Sequence, residues 1–130
     1  MNVPPDLRYT KDHEWIRVEG DVGSIGITDF AQDSLGDVVF VELPAVGARF
    51  TQGAIFGVVE SNKSVSDLFA PVAGEVVAVN EQLVERPELV NQSPYEQGWM
   101  IRVRIAAASE VAGLLDAAAY EVHVASEQHG

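Results

Sequence analysis

Gly53-Ala54-Ile55-Phe56-Gly57-Val58-Val59-Glu60-Ser61-Asn62-Lys63-Ser64-Val65-Ser66-Asp67-Leu68-Phe69-Ala70-Pro71-Val72-Ala73-Gly74-Glu75-Val76-Val77-Ala78-Val79-Asn80 is the stretch on which the fold turns. An apolar run ends at Val59, small polar residues follow, and apolar character resumes at Val65. That break predicts a hairpin with Ser61–Ser64 at its tip, where Asn62 suits a turn position. Pro71 to Gly74 predicts a second reversal, into Glu75–Val79. Lys63 then sits on a tight, protruding turn, free in its side chain and anchored on a rigid base.

Val-rich segments extend outward from this stretch, from Trp15 to about Val79, with Gly, Pro, Asn and Asp as punctuation. Glu14–Val18 and Val22–Thr28 pair as a hairpin across Glu19-Gly20-Asp21. Thr28 to Gly36 predicts a helix of about two turns. Thr28 is its N-cap, Asp29 lies in its first turn, and Gly36 takes the left-handed position at its end. Asp37–Leu43 is expected as a buried strand, followed by a turn at Pro44-Ala45-Val46-Gly47. Phe50 to Val79 holds two further hairpin-like units. Glu81 to Gly98, with Pro87 and Pro94, reads mostly as loop with one helical turn, and Trp99–Ile105 as a closing strand.

At the C-terminus, Ser109 is the expected N-cap. Val111, Leu114, Leu115, Ala118 and Val122 recur at helical spacing. Gly113 weakens that helix by about 1 kcal/mol relative to alanine, and Asp116 can cap a restart, so a break near 113–116 is expected. The sum is a mainly β protein, a sandwich or barrel with a helix at one end. It reads as one domain over 1–130, with about 109–126 as a C-terminal helical extension.

Composition narrows the function. The 130 residues are 47% hydrophobic, enough for a core. The absence of cysteine excludes disulfides, Cys-ligated zinc and a thiol nucleophile, so any sulfur redox chemistry must come from a cofactor. Twenty carboxylates against eight bases give a formal charge of −12. That repels phosphate backbones and argues against nucleic-acid binding, while suiting the chain to basic surfaces of partner proteins. No apolar run approaches the roughly 18 residues of a membrane span. Met1-Asn2-Val3-Pro4-Pro5-Asp6 resembles neither a secretory signal nor a transit peptide, so the chain reads as cytoplasmic. A mitochondrial matrix protein whose presequence has been removed gives the same reading.

Only two of the eight bases are lysines, Lys11 and Lys63. A lysine on a protruding turn can be presented to a modifying enzyme, and amide formation removes its charge. A group attached there gains effective concentration wherever the domain docks. From the turn alone, a solvated surface lysine is the default. The residues around it decide otherwise.

Glu60-Ser61-Asn62-Lys63-Ser64-Val65-Ser66-Asp67 followed by Ala70-Pro71-Val72-Ala73-Gly74-Glu75-Val76 resembles the lipoyl-lysine segment of the glycine cleavage system H-protein family. Tyr9-Thr10-Lys11-Asp12-His13-Glu14-Trp15 is similar to that family's opening. Gly26 through Pro44 is similar to its most distinctive block. Pro87-Glu88-Leu89-Val90-Asn91 and Ser93 through Ile101 resemble its later signature. The resemblance covers about residues 7 to 122. It implies a barrel-sandwich hybrid related to lipoyl and biotinyl domains, with lipoate covalently attached to Lys63 and no catalytic residues of its own.

The resemblance also implies a set of partners. A pyridoxal-phosphate glycine decarboxylase loads the arm with an aminomethyl group, and a tetrahydrofolate-dependent aminomethyltransferase unloads it. Dihydrolipoamide dehydrogenase reoxidises it, and a lipoate ligase or lipoyl transferase installs it. No nucleic acid or membrane enters, and a monomer is expected. The sulfurs come from the cofactor, consistent with a chain lacking cysteine. Asn62 departs from the apolar or small residue usual before this lysine. Biotin is disfavoured because biotinyl domains flank their lysine with methionines, and the methionines here are Met1 and Met100. Two other readings stay open: a relay protein passing lipoate to other lipoyl domains, and an unmodified binding module.

By the same resemblance, Glu14 and Asp67 line a cleft that shelters the loaded arm and holds its ammonium by charge-assisted hydrogen bonds. Asp12 is a lesser candidate. As residues alone, Glu14 and Asp67 read equally well as solvated acids among twenty. His13, His123 and His129 lack metal-ligand spacing in sequence, so no metal is expected. His13 is expected to orient a strand start or cap a loop. No serine lies in a Gly-x-Ser-x-Gly elbow, and no Gly-rich phosphate loop is present. Trp15, Trp99 and Phe30 are expected in the core or an interface.

Overall fold

The computed structural model describes residues 1–129, with side chains through Glu127. Two antiparallel sheets carry it. The larger consists of β1 (Arg8–Tyr9), β2 (Glu14–Glu19), β3 (Val22–Ile27), β9 (Ile101–Ile105), β8 (Gly74–Val79) and β5 (Arg49–Phe50), in that spatial order. The smaller orders β4 (Val38–Glu42), β6 (Ile55–Ser61) and β7 (Val65–Phe69). Between the sheets pack Ile16, Ile25, Val41, Val59, Leu68, Val76 and Val103, all buried. A second cluster, centred on Tyr9, Trp15, Tyr95 and Tyr120, lies on the other side of β2. Burial on both faces explains why β2 opens with three buried residues in a row instead of alternating.

The β2–β3 hairpin forms as expected. Glu19 pairs with Val22 across Gly20-Asp21, and Gly20 has φ 65, in the left-handed region that glycine enters without strain. Helix α1 (Asp29–Leu35) is capped by the Thr28 hydroxyl, which accepts from the Ala31 amide at 3.2 Å. Gly36 follows it at φ 84, and its amide closes on the Gln32 carbonyl.

Several expectations needed correction. Asp37–Leu43 does contain a strand, but β4 is an edge of the small sheet and only partly buried: Val38 and Val41 join the core, while Val39 and Phe40 are 55% and 49% exposed. An apolar strand sequence cannot tell a buried face from one left open. The reversal at Pro71–Gly74 is no hairpin. It carries the chain from β7 in one sheet to β8 in the other, where β8 pairs with β9 and β5. Residues 81–98 hold two helical turns, α2 (Gln82–Glu85) and α3 (Leu89–Gln92), which bury Leu83, Leu89 and Val90. Each turn is too short to show a period.

The C-terminal helix is two helices, α4 (Ala108–Ala112) and α5 (Ala117–His129). Its break falls where expected, and the Asp116 carboxylate accepts from the Ala119 amide at 2.8 Å. Ser109 is not the N-cap, because α4 begins one residue earlier, after Ala107, which makes no side-chain cap bond. The restart also resets the helical phase. Tyr120 and Val124 are the buried residues of α5, whereas Ala118 and Val122 face outward. The unforeseen strand β1 receives this segment, since Tyr9 and Leu115 exchange both backbone hydrogen bonds at 2.8 and 2.9 Å. No described helix is long and apolar enough to cross a membrane.

Candidate functional site

The β6–β7 hairpin projects Lys63 from the small sheet. Ser61 organises its tip: its amide donates to the Ser64 carbonyl at 2.8 Å, and its hydroxyl accepts from the amides of Lys63 and Ser64 at 3.2 and 3.1 Å. These bonds are local, so the turn holds its shape without burying the lysine. Lys63 is exposed and joins no ion pair among the described residues.

The tip rests on the junction between α1 and β4. The Asn62 amide donates to the Asp37 carbonyl at 3.1 Å. A Cβ added to Gly36 would stand 3.2 Å from Lys63 Cε, so the lysine's methylenes run over that glycine. Asn91 pins the junction from behind. Its amide group donates to the Gly36 carbonyl (2.9 Å) and to Gln32 Oε1 (3.0 Å), and its Oδ1 accepts from the Val38 amide at 2.9 Å. Two motifs far apart in sequence thus converge under the lysine. Asn91 had no chemical signal of its own in the sequence, because its partners lie more than fifty residues away.

Beside the tip lies a cleft of about 250 Å³ with Ile27, Leu35 and Leu68 in its walls. Asp12, Glu14 and Asp67 all line it, together with Ser64, the residue after the lysine. Glu14 and Asp67 differ sharply. Asp67 is exposed on β7. Glu14 is 1% exposed, accepts from the Thr10 hydroxyl at 2.6 Å through Oε1, and accepts from the Phe69 amide at 3.3 Å through Oε2. Its side chain therefore spans from the large sheet to the small one. Burial pushes its carboxyl up from 4.5 to about 7, against the two hydrogen bonds, which favour the charged form. Near neutral pH such a group is poised to hold a proton or a cation. For Glu14 the reading as a solvated acid is therefore incorrect.

His13 stands at the cleft's edge with φ 71, a left-handed backbone unusual for a residue with a side chain. It does set the start of β2: its carbonyl accepts from the Thr28 amide at 3.0 Å. Its Nδ1 lies 2.8 Å from the Tyr120 hydroxyl, which lies 2.7 Å from Thr28 Oγ1. The histidines required a correction, because folding brings His13 and His123 together with Glu127. Their separation of 110 residues gave no spacing to read. The side chain of His129 lies outside the described residues. Trp15 is buried, while Phe30 and Trp99 are partly so.

A family model described as "Glycine cleavage H-protein" matches residues 7–127. The chain belongs to the glycine cleavage H-protein family. A glycine cleavage system H protein of Symbiobacterium thermophilum is 59% identical over 120 residues, spanning 92% of this chain and 94% of that one. One from Nitratidesulfovibrio vulgaris is 58% identical over 129 residues, 99% of this chain and 100% of its own. The crystal structure of a glycine cleavage system H protein from Mycobacterium marinum superposes with a TM-score of 0.87. It is 42% identical and covers 95% of this chain and 99% of its own. The two-sheet architecture is accordingly the family's barrel-sandwich hybrid, and the motifs that resembled the family fall within the matched span.

Proposed function

We propose that this protein is the lipoylated carrier of the glycine cleavage system, working in the cytoplasm as a single-domain monomer with lipoate in amide linkage to Lys63. The observation that carries the reading is the placement of an exposed, locally braced lysine beside a cleft containing a buried carboxylate. The residues present suit the group. The ammonium of Lys63 is accessible to a ligase or transferase, and the cleft's apolar walls suit an aliphatic arm. When bound, lipoate supplies the sulfurs that carry the aminomethyl unit between glycine decarboxylase and aminomethyltransferase and that dihydrolipoamide dehydrogenase reoxidises.

The chain's own residues bind and orient. Ser61 keeps the tip in one shape, and the Gly36–Asp37 junction sets its height above the cleft. Glu14 and Asp67 present two carboxylates at different depths to a cationic end of the arm, the buried one in a low-dielectric wall where a charge-assisted hydrogen bond is strongest. An ammonium placed against Glu14 would draw its carboxyl back into the ionised form. In this reading these residues hold and shelter the arm, and the reactions occur on the partner enzymes.

Intact-mass spectrometry of protein from its own lipoate-replete cells, followed by a tryptic map, tests the reading. One lipoyl increment confined to the peptide spanning Lys63, with no cleavage after Lys63, is expected. An unmodified Lys63 with no increment elsewhere would overturn it.

A further inference from the structure

We propose that His13, His123 and Glu127 form a binding site for one divalent transition-metal ion of the zinc class, which clips helix α5 to the turn preceding β2. His13 Nε2 lies 2.8 Å from Glu127 Oε2, and His123 Nε2 lies 3.1 Å from Glu127 Oε1. The candidate donor atoms of all three residues fall within 4.8 Å of one another. Around a tetrahedral ion with bonds of about 2.0–2.1 Å, donors stand about 3.3 Å apart. The two short separations need to open by only a few tenths of an ångström. The widest closes by rotation of His123 and Glu127, which sit one helical turn apart and are partly exposed. Two imidazoles and one carboxylate suit zinc and its borderline neighbours and suit magnesium poorly.

The surroundings supply what such a site requires beyond its ligands. Tyr120 and Thr28 form a hydroxyl pair behind His13 Nδ1, and either can be the donor. With Thr28 donating to Tyr120 and Tyr120 to Nδ1, His13 carries its proton on Nε2 and gives it to Glu127. With the relay reversed, Nδ1–H donates to Tyr120 and Nε2 offers a lone pair to an ion. This is the outer hydrogen bond that orients a ligating imidazole.

His123 Nε2 lies 2.9 Å from the Lys11 carbonyl, to which its N–H can donate. To ligate through Nε2 the ring takes its Nδ1–H tautomer, the proton exchanging through solvent. The left-handed backbone at His13 is held by its amide donating to the Thr10 carbonyl and its carbonyl accepting from the Thr28 amide, and these bonds keep the imidazole against the helix.

Zinc sulfate titrated calorimetrically into the metal-stripped, full-length protein tests the proposal. The wild type is expected to take up one Zn²⁺, unaffected by excess Mg²⁺. His123→Ala and Glu127→Gln, both partly exposed on α5, are expected to bind at least about tenfold more weakly while keeping the wild-type circular dichroism spectrum. His13→Asn, which tolerates the same backbone, should weaken binding likewise. Co²⁺ in the wild type should give tetrahedral ligand-field bands that His123→Ala lacks. No saturable Zn²⁺ uptake up to millimolar concentration would overturn the site. So would equal uptake by wild type and both helix variants, which would mean adventitious binding to surface carboxylates. None of these readouts depends on lipoylation or glycine cleavage, so failure here and failure of the carrier reading are separable.

Discussion

The lysine hairpin and the Glu14 junction lie on the two sides of one cleft and are built on opposite principles. The hairpin tip is closed by bonds within Ser61–Ser64, and the Lys63 side chain is left to solvent. Glu14 is fixed by Thr10 four residues before it and by Phe69 fifty-five residues after it, and it is sealed from water. A group that must be reached by several enzymes belongs on the locally stabilised side. A group that must discriminate charge belongs where water is excluded. The difference predicts that changes at the tip alter function with little effect on stability, whereas changes at the junction alter both.

The sharpest way to break this comparison is Lys63→Ala. Glycine cleavage in a reconstituted system should be abolished, while the urea midpoint stays at the wild-type value. Retained activity would remove the lysine from the function, and a large loss of stability would remove the distinction between the two regions.

Glu14→Gln comes next. The folded carboxyl titrates at about 7 against 4.5 when unfolded, so the native state binds this proton more tightly. Below pH 4.5 both states hold it, and burial carries no added charge penalty. As pH rises from 4.5 to about 7, the wild type loses stability on the order of 3 kcal/mol, and the loss levels off above that. Glu14→Gln should lack this component. Urea denaturation of both proteins at pH 4.5 and pH 8, in EDTA, should show the variant gaining on the wild type at the higher pH.

Thr28→Ala removes both the α1 cap and the partner of Tyr120. A cost of about 1–2 kcal/mol is expected by urea denaturation. Gly36→Ala should cost about 1–3 kcal/mol, because φ 84 with ψ −161 is a backbone open essentially to glycine alone, and should also slow lipoylation by moving the lysine's methylenes. Asp67→Asn is the smallest: stability within about 0.5 kcal/mol of wild type, since the residue is exposed. Its expected signature is a shorter lifetime of the loaded arm. A stability loss matching that of Thr28→Ala would show that Asp67 belongs to the buried side of the comparison.

Much of this was legible from residue order. The β2–β3 hairpin, α1 with its Thr28 cap and Gly36 end, the Ser61–Ser64 tip and the restart at Asp116 all depend on signals a few residues long. The sheet that the strand after Pro71 joins, the second helical turn within 82–92 and the buried face of α5 were not legible. Each depends on which surface the chain meets after a break. Val39 and Phe40 make the same point from the other direction: their sequence reads as core, yet they lie on an exposed edge.

For the candidate site, the sequence by itself determined the turn that carries Lys63, because a tight turn is a local solution to backbone hydrogen bonding and its residues announce it. Family likeness added the acids but could not rank them. Tertiary structure alone decided that Glu14 is buried while Asp67 is not, that Asn91 braces the ground under the lysine, and that His13 meets His123 and Glu127. These are outcomes of docking between segments separated by dozens of residues. Desolvation and side-chain convergence are properties of the packed molecule, and no local pattern encodes them.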